Sequence, residues 1–262
     1  MLELNTIHLG NCLELMKQID NESIDMILCD LPYGTTQNKW DSIIDLDLMW
    51  NQYKRIIKSN GAIVLTAAQP FTSRLILSNT WQYKYTWVWD KANPTGFLNA
   101  KKQPLRVTED IVVFYDRQCV YNPEMEVRGK PRNKGSYNKP GGSDNYGTFH
   151  NVIAFNNEYY PTNLLRISNA HKGGKQHPTQ KPVELFEYLI KTYTNESDLI
   201  LDNCIGSGTT TIASLNTNRN FIGIELDPNY HKIATERVQQ WHYNKAKQII
   251  LERRKQKELE PT

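Results

Sequence analysis

Leu199-Ile200-Leu201-Asp202-Asn203-Cys204-Ile205-Gly206-Ser207-Gly208 runs from a short apolar strand into a glycine-rich turn, and a helical pattern follows from Thr209 to Asn216. Phe221 to Ile224 is a second apolar strand, ending in Glu225, seventeen residues beyond Gly208. Strand, Gly-x-Gly, helix, strand and acid in this order mark a unit that holds a nucleotide-like ligand. Gly206 and Gly208 let the backbone approach that ligand where a Cβ would collide, and Glu225 stands where an acid accepts both hydroxyls of a ribose. A dinucleotide fingerprint needs a third glycine where this chain has Thr211, which weakens a pyrophosphate ligand. Asp202 argues the same way, because a carboxylate before the turn repels phosphate and suits an ammonium or sulfonium. S-adenosylmethionine carries both cations. A structural corner with no ligand is the competing interpretation of this stretch taken alone.

Outward from this unit the alternation continues. Apolar, β-branched runs at Ile7 to Leu9, Ile24 to Cys29, Ala62 to Ala67, Tyr85 to Trp89 and Ile111 to Tyr115 join the two already named. Helical patterns occupy Leu13 to Ile19, Leu46 to Lys58, Phe71 to Ser78 and Val183 to Tyr193, with a long terminal helix from Asn229 to about Glu258. Short continuous apolar strands separated by helices predict a doubly wound, mainly parallel sheet. Tyr85 to Trp89 and Ile111 to Tyr115 have no convincing helix between them and are expected to pair antiparallel at one edge. From Gln118 to Gln176 the periodicity fades into Gly, Asn, Tyr, Lys and Pro, and a long irregular segment within a domain is usually functional or disordered.

A chain of 262 residues that is 39% hydrophobic can bury a full core as one α/β domain. The net charge is only +3, yet Lys101 to Pro182 contains thirteen Lys and Arg against seven Asp and Glu. That concentration favours a polyanionic partner, although a solvated basic surface would produce it too. Cys12, Cys29, Cys119 and Cys204 are far apart and His177 lacks a second ligand nearby, so neither a metal site nor a disulfide framework is expected. No apolar run approaches a membrane span and no charged leader precedes one, which predicts a soluble cytoplasmic protein.

Asp30-Leu31-Pro32-Tyr33 closes the apolar run Ile24 to Cys29 and places an acid, carbonyls and an aromatic ring at a strand's carboxyl edge. An exocyclic amine on a nucleobase is a poor nucleophile because its lone pair is delocalised into the ring. Asp30 and the Leu31 carbonyl could accept its two protons and draw the lone pair out of plane, while Tyr33 stacks on the base. Taken alone, such a tetrapeptide also serves as an ordinary turn cap. Beside a cofactor motif it gains chemical meaning.

With both motifs in view, the chain resembles the DNA amino-methyltransferases of the beta class, in which the substrate motif precedes the cofactor motif. His177-Pro178-Thr179-Gln180-Lys181-Pro182 stands where that family's proline-lysine signature leads into the first cofactor strand. The resemblance implies an α/β, Rossmann-like methyltransferase fold, circularly permuted, with a mostly parallel seven-stranded sheet, one antiparallel strand and an irregular recognition insertion. It implies S-adenosylmethionine as cofactor, held by Asp202, Cys204, Gly206, Ser207, Gly208, Thr209 and Glu225, with Lys181 near its carboxylate and Asn11 near its adenine. The catalytic set would be Asp30, Leu31, Pro32 and Tyr33. Leu31 replaces the first proline of the common Asp-Pro-Pro-Tyr form, and Asn11 replaces the usual acid after Gly10.

By the same resemblance, residues 1–117 form the substrate-motif half, 118–176 the target-recognition insertion, and 177–262 the cofactor half with the terminal helix. In the insertion, Lys130, Arg132, Lys134 and Lys139 would neutralise phosphates, and Asn133, Asn138 and Asn145 would read adenine edges. Tyr137, Tyr146 and Phe149 would fill the gap left by a flipped base or stack on its neighbours. The implied activity is methyl transfer to the N6 amine of adenine flipped out of double-stranded DNA. The leading acid favours adenine, since the cytosine N4 enzymes of the group more often begin the motif with serine. Cytosine N4, RNA or protein amines, and a non-catalytic DNA-binding scaffold are the alternatives. The partners implied are double-stranded DNA, a second copy of the chain and a separate restriction endonuclease, with no membrane.

Overall fold

The computed structural model describes residues 2–34, 44–134, 141–143, 147–149, 154–170 and 180–259. The strands in chain order are β1 (Thr6–Leu9), β2 (Ile24–Asp30), β3 (Ile57–Ala67), β4 (Tyr83–Thr95), β5 (Arg106–Phe114), β6 (Glu126–Lys134), β7 (Gly141–Ser143), β8 (Gly147–Phe149), β9 (Ala154–Tyr159), β10 (Leu164–Arg166), β11 (Leu199–Asp202) and β12 (Asn220–Glu225). The helices are α1 (Cys12–Leu15), α2 (Leu46–Ile56), α3 (Phe71–Leu77), α4 (Val183–Tyr193), α5 (Thr209–Asn216) and α6 (Pro228–Leu259), with short 3-10 turns at Met16–Gln18 and Phe97–Asn99.

Each central strand buries both of its faces, which is why its sequence is continuously apolar. Ile27 and Cys29 of β2, Ile63 and Leu65 of β3, Val112 and Phe114 of β5, and Leu199 and Leu201 of β11 enter one core, with Trp50 and Tyr53 of α2 and Leu75 of α3. The intervening Met26, Leu28, Ala62, Val64, Ile111, Val113 and Ile200 enter a second core with Leu185, Phe186, Leu189 and Ile190 of α4 and Ala213 of α5. A period of two along the strands thus feeds two helical layers. The helices start where side chains supply the missing acceptors: Asp45 accepts from the Leu48 amide at 3.1 Å ahead of α2, and Asp227 accepts from Asn229 at 2.7 Å at the start of α6.

The main sheet has the order β1-β12-β11-β2-β3-β5-β4-β10, and β5 alone runs antiparallel, to both β3 and β4. The fold class expected from the sequence is therefore found, with one antiparallel strand but, among the described residues, eight strands where seven were expected. The additional strand is β10, which pairs parallel with β4 from Leu164 opposite Val88 to Arg166 opposite Asp90. The β4–β5 hairpin consequently does not form the edge. Three residues of sequence carry too little periodicity to announce a strand, and the pairing with β4 creates it.

By its internal contacts the chain divides into two compact units, one of Met1–Asn122 with Asn163–Thr262, and one of Pro123–Thr162. In the second unit β6 pairs antiparallel with β9, and β7 with β8. The stretch read as irregular thus contains strands. Its hydrophobic pattern gave no sign of them because nearly all of β6 is exposed, so neither face needs apolar residues. Arg128, Arg132 and Lys134 gather around the ring of Tyr159, at 5.5, 5.5 and 3.7 Å from its centroid. Lys130 and Asn133 are exposed on the same strand. Tyr137, Asn138, Lys139, Asn145, Tyr146 and His177 lie outside the described residues, as does the side chain of Phe149. Among the described residues no helix is long and apolar enough to cross a membrane.

Candidate active site

β2 and β11 are hydrogen-bonded neighbours, with Met26 opposite Ile200 and Ile27 opposite Leu201. The chain leaves them in opposite directions, β2 toward β3 and β11 toward β12. At such a switch point the two crossover connections part, and a crevice opens outside the carboxyl ends of the strands. Asp30 ends β2 and Asp202 ends β11. Two motifs remote in sequence therefore flank one crevice.

Asp30 is held from three sides. Thr66, directly opposite it on β3, donates its hydroxyl to Asp30 Oδ1, and the Tyr33 hydroxyl donates to the same oxygen at 2.8 Å. Lys181 Nζ donates to both carboxylate oxygens at 2.7 Å. Burial, then the Asp30 and Glu109 carboxylates, hold the Tyr33 hydroxyl well above the ordinary phenol range, so it stays a proton donor. One side of the Tyr33 ring stacks on Phe71, with centroids 5.3 Å apart and planes at 22°. Leu31, the departure from the family's proline, is buried in the core, which anchors the motif by packing where a second proline would stiffen it.

The family resemblance placed Lys181 near the cofactor's carboxylate; in the structure its ammonium lies against Asp30 and, at 3.5 Å, Glu109 Oε2. A side chain only 7% exposed must pair its charge, and the end of β2 and the amino-terminal half of β5 present two carboxylates. Burial lowers the Lys181 pKa, but Asp30 and Glu109 outweigh it and the net shift is upward, so the ammonium persists at neutral pH. Glu109 is paired in turn with buried Lys91 at 3.0 Å. Lys91, Glu109, Lys181 and Asp30 form a ladder of alternating charge along the carboxyl edge of the sheet. Thr66, Phe71, Glu109 and Lys91 were not singled out from the sequence; Thr66 as a polar residue in a buried strand and Glu109 ahead of Ile111-Val112-Val113 were the available signals.

On the cofactor side, Asp202 is 3% exposed and braces the turn: Oδ1 accepts from the Cys204 amide at 3.0 Å and Oδ2 accepts the Thr210 hydroxyl. Being almost wholly buried, it can act on a cation only through its field. Burial pushes its carboxyl up to about 6, against the Thr210 hydroxyl and Cys204 amide that favour ionisation. Glu225 Oε2 accepts from the Gly206 amide at 2.8 Å and Oε1 from the Asp227 amide at 2.8 Å. Each oxygen retains a lone pair for a ligand hydroxyl. Thr209 Oγ1 reaches the Lys181 carbonyl at 3.4 Å, so Lys181 touches the glycine turn by its backbone and Asp30 by its side chain. The buried Ser207 accepts from Arg237 at its carbonyl.

Asn11 caps α1, its Oδ1 accepting from the Leu13 amide at 2.9 Å, and the cap makes no use of the side-chain NH2. The Cys204 thiol meets those of Cys12 and Cys29 beneath the turn, and hydrogen bonding with Cys204, then burial, raises the Cys12 pKa. Three cysteines far apart in sequence thus pack together as neutral thiols.

The two glycines of the turn do different jobs. Gly208 has φ +83 and a Cβ there would lie 3.0 Å from Thr211 Oγ1 and 3.1 Å from Ala234 Cβ. Gly206 has φ +53 but nothing within 4 Å of the Cβ position. Gly208→Ala is expected to combine left-handed strain with a clash and to destabilise by about 2 kcal/mol or more, whereas Gly206→Ala carries the strain alone, about 1–2 kcal/mol. Urea unfolding of the two variants checks the order; a larger loss for Gly206→Ala would show that open space is not what surrounds it.

An open sheet, parallel except for β5, with an acid-led tetrapeptide and a glycine turn on neighbouring strands at its switch point, defines a Rossmann-like methyltransferase. The family model described as DNA methylase, for N6 and N4 methyltransferases, matches residues 24–236, and the chain belongs to that family. YubD of Escherichia coli (strain K12) is 40% identical over 242 aligned residues, covering 87% of this chain and 88% of YubD. The DNA adenine methyltransferase YhdJ of the same organism is 26% identical, covering 97% of this chain and 89% of its own. Among solved structures, the M1.HpyAVI–SAM complex superposes with a TM-score of 0.61 at 25% identity, over 89% of this chain and 98% of that one.

Proposed function

We propose that the protein transfers the methyl group of S-adenosylmethionine to the N6 amine of an adenine flipped out of double-stranded DNA. The observation that carries this reading is the shared crevice: Asp30-Leu31-Pro32-Tyr33 and the Gly206–Gly208 turn flank one switch point on adjoining strands. The residues present fit the cofactor. Gly206 has space where a Cβ would stand, Glu225 is oriented by two backbone amides to receive ribose hydroxyls, and Asp202 supplies negative field for an ammonium or sulfonium. When bound, S-adenosylmethionine supplies an electrophilic methyl group.

The protein's own part is orientation and electrostatics. Asp30, locked by Thr66, Tyr33 and Lys181, presents a fixed carboxylate that accepts one amine proton, and the Leu31 carbonyl accepts the other. The nitrogen lone pair is then turned out of the ring plane toward the methyl donor. Lys181 holds both Asp30 oxygens in place as the amine approaches. Residues 118–176 are assigned to target recognition, with Lys130, Arg132 and Lys134 on phosphates and Asn133 on base edges. An endonuclease of matching sequence specificity, encoded separately, and a second copy of the chain are the partners this reading implies.

Mass spectrometry of nucleosides from DNA incubated with the protein and S-adenosylmethionine tests the assignment. N6-methyladenine is the expected product; N4-methylcytosine would retain the mechanism but change the base, and no methylated base would reject the reading.

Asp202 adds a pH dependence. Its folded-state pKa of about 6 lies above the ordinary 3.8, so the folded state binds the proton more tightly and loses stability as pH rises through that interval. A cationic ligand nearby favours the ionised form. Cofactor affinity should therefore increase with pH up to about 6 and then level off, and Asp202→Asn should bind more weakly with a flat profile. Titration calorimetry across this range would discard the coupling if the wild-type profile were itself flat.

A further inference from the structure

At the same carboxyl edge, residues 96–105 join β4 to β5 with the sequence Gly-Phe-Leu-Asn-Ala-Lys-Lys-Gln-Pro-Leu. Phe97 is 66% exposed and Leu98 is 101% exposed. A single exposed leucine is ordinary, but two adjacent large apolar side chains presented at a loop tip gain nothing from folding there. The loop is nevertheless ordered. Gly96, at φ +92, opens the 3-10 turn Phe97–Asn99. The Asn99 amide donates to the Gly96 carbonyl at 2.9 Å, and the Lys102 and Gln103 amides donate to the Asn99 carbonyl at 2.8 and 3.0 Å.

The root of the loop is tied to the catalytic edge. Thr95 lies opposite Arg106 and donates its hydroxyl to the Arg106 carbonyl at 3.2 Å. Below that rung, Lys91 and Glu109 bridge the two strands, and Glu109 faces the Lys181 ammonium that grips Asp30. Arg106 stands three residues outward from Glu109 along β5, about 10 Å at the rise of a strand. The loop therefore rises from the same edge of the sheet as the crevice, on a strand pair linked through Glu109 and Lys181 to Asp30. Between Lys91 and Thr108 there are four cations, Lys91, Lys101, Lys102 and Arg106, and no acid. Three of the four are exposed. Apolar tip and basic flanks together match a stacked, polyanionic partner.

We infer that residues 96–105 are a DNA-opening wedge: Phe97 and Leu98 enter the base stack where the target base leaves it, while Lys101, Lys102 and Arg106 hold the flanking phosphates. The inference rests on the DNA-methyltransferase reading above and assigns gap-filling to a loop other than the recognition insertion. Rotating a base into the crevice leaves an empty slot in the duplex, and an inserted apolar side chain restores stacking contacts and opposes return of the base. Ordering the loop beforehand removes part of the entropy cost of insertion.

The test uses the full chain with Phe97→Ser and Leu98→Ser combined. Both side chains are exposed, so the fold should tolerate the change. Once the methylated site has been mapped on genomic DNA, transfer is measured on two duplexes carrying it, one fully paired and one with an abasic site opposite the target base. The expected result is a loss of about tenfold or more on the paired duplex, with activity within about twofold of wild type on the pre-opened one. Lys101→Ala with Lys102→Ala should lower the dependence of binding on salt concentration by about one unit of slope for each phosphate no longer neutralised. Unchanged transfer on both duplexes overturns the wedge and leaves the apolar tip to a protein partner. An equal loss on both also overturns it, because the loop would then serve the chemistry rather than base opening. If the wild-type protein methylates no DNA, the parent reading has failed, an outcome recognisable without any variant.

Discussion

Asp30→Ala is expected to reduce methyl transfer by about a hundred- to ten-thousandfold while leaving cofactor binding intact. The carboxylate is fixed at once by a neighbouring strand, by its own tetrapeptide and by the segment leading into α4, through Thr66, Tyr33 and Lys181. Its removal takes away the acceptor that turns the amine lone pair toward the donor. Alanine also leaves the buried Lys181 ammonium with Glu109 alone, so part of the loss would come from a shifted lysine. Asp30→Asn keeps shape and one acceptor oxygen but drops the charge, and should lie between alanine and wild type. Single-turnover transfer rates and cofactor titration separate the effects. Wild-type rates in Asp30→Ala would sink the mechanism, and loss of cofactor affinity would show that Asp30 supports the crevice instead of the amine.

Glu109→Ala is expected to have the largest effect on stability. Lys91, with a side chain 5% exposed, would be left with the Thr95 hydroxyl at 3.4 Å in place of a counter-ion. Leaving a buried charge without its counter-ion typically costs about 3–5 kcal/mol, a large share of the about 5–15 kcal/mol that holds a domain folded. Removing both charges with Lys91→Met and Glu109→Leu should recover much of the loss, because the pair contributes mainly by neutralising itself. A double-mutant cycle from urea unfolding would show this as a coupling energy. Additive losses would mean that the two residues stabilise the fold independently.

How much of this was legible beforehand follows from where each signal resides. The tetrapeptide at Asp30 and the turn at Gly206 are local patterns, since a strand end and a glycine turn are specified by a few neighbouring residues. The helices α4 and α5 were found at their observed bounds because their apolar residues face the sheet at helical spacing. β10 and the strands of the second unit were missed because short or solvated strands need no apolar pattern. Lys181 was recognised as a site residue, but its partners depend on where β2 ends and on where β5 lies in the sheet.

By itself, the order of apolar runs determined the α/β class, the mostly parallel sheet and the place of both motifs at strand ends. These follow from periodicity and turn chemistry, which act over a few residues. Only the tertiary structure decided that β10 completes the sheet, that Asp202 is engaged within its own turn, and that Lys91, Glu109, Lys181 and Asp30 form one ladder. The physical reason is that charge pairing and burial depend on distances between strands. Residues remote in sequence become partners only when the sheet order brings their strands side by side.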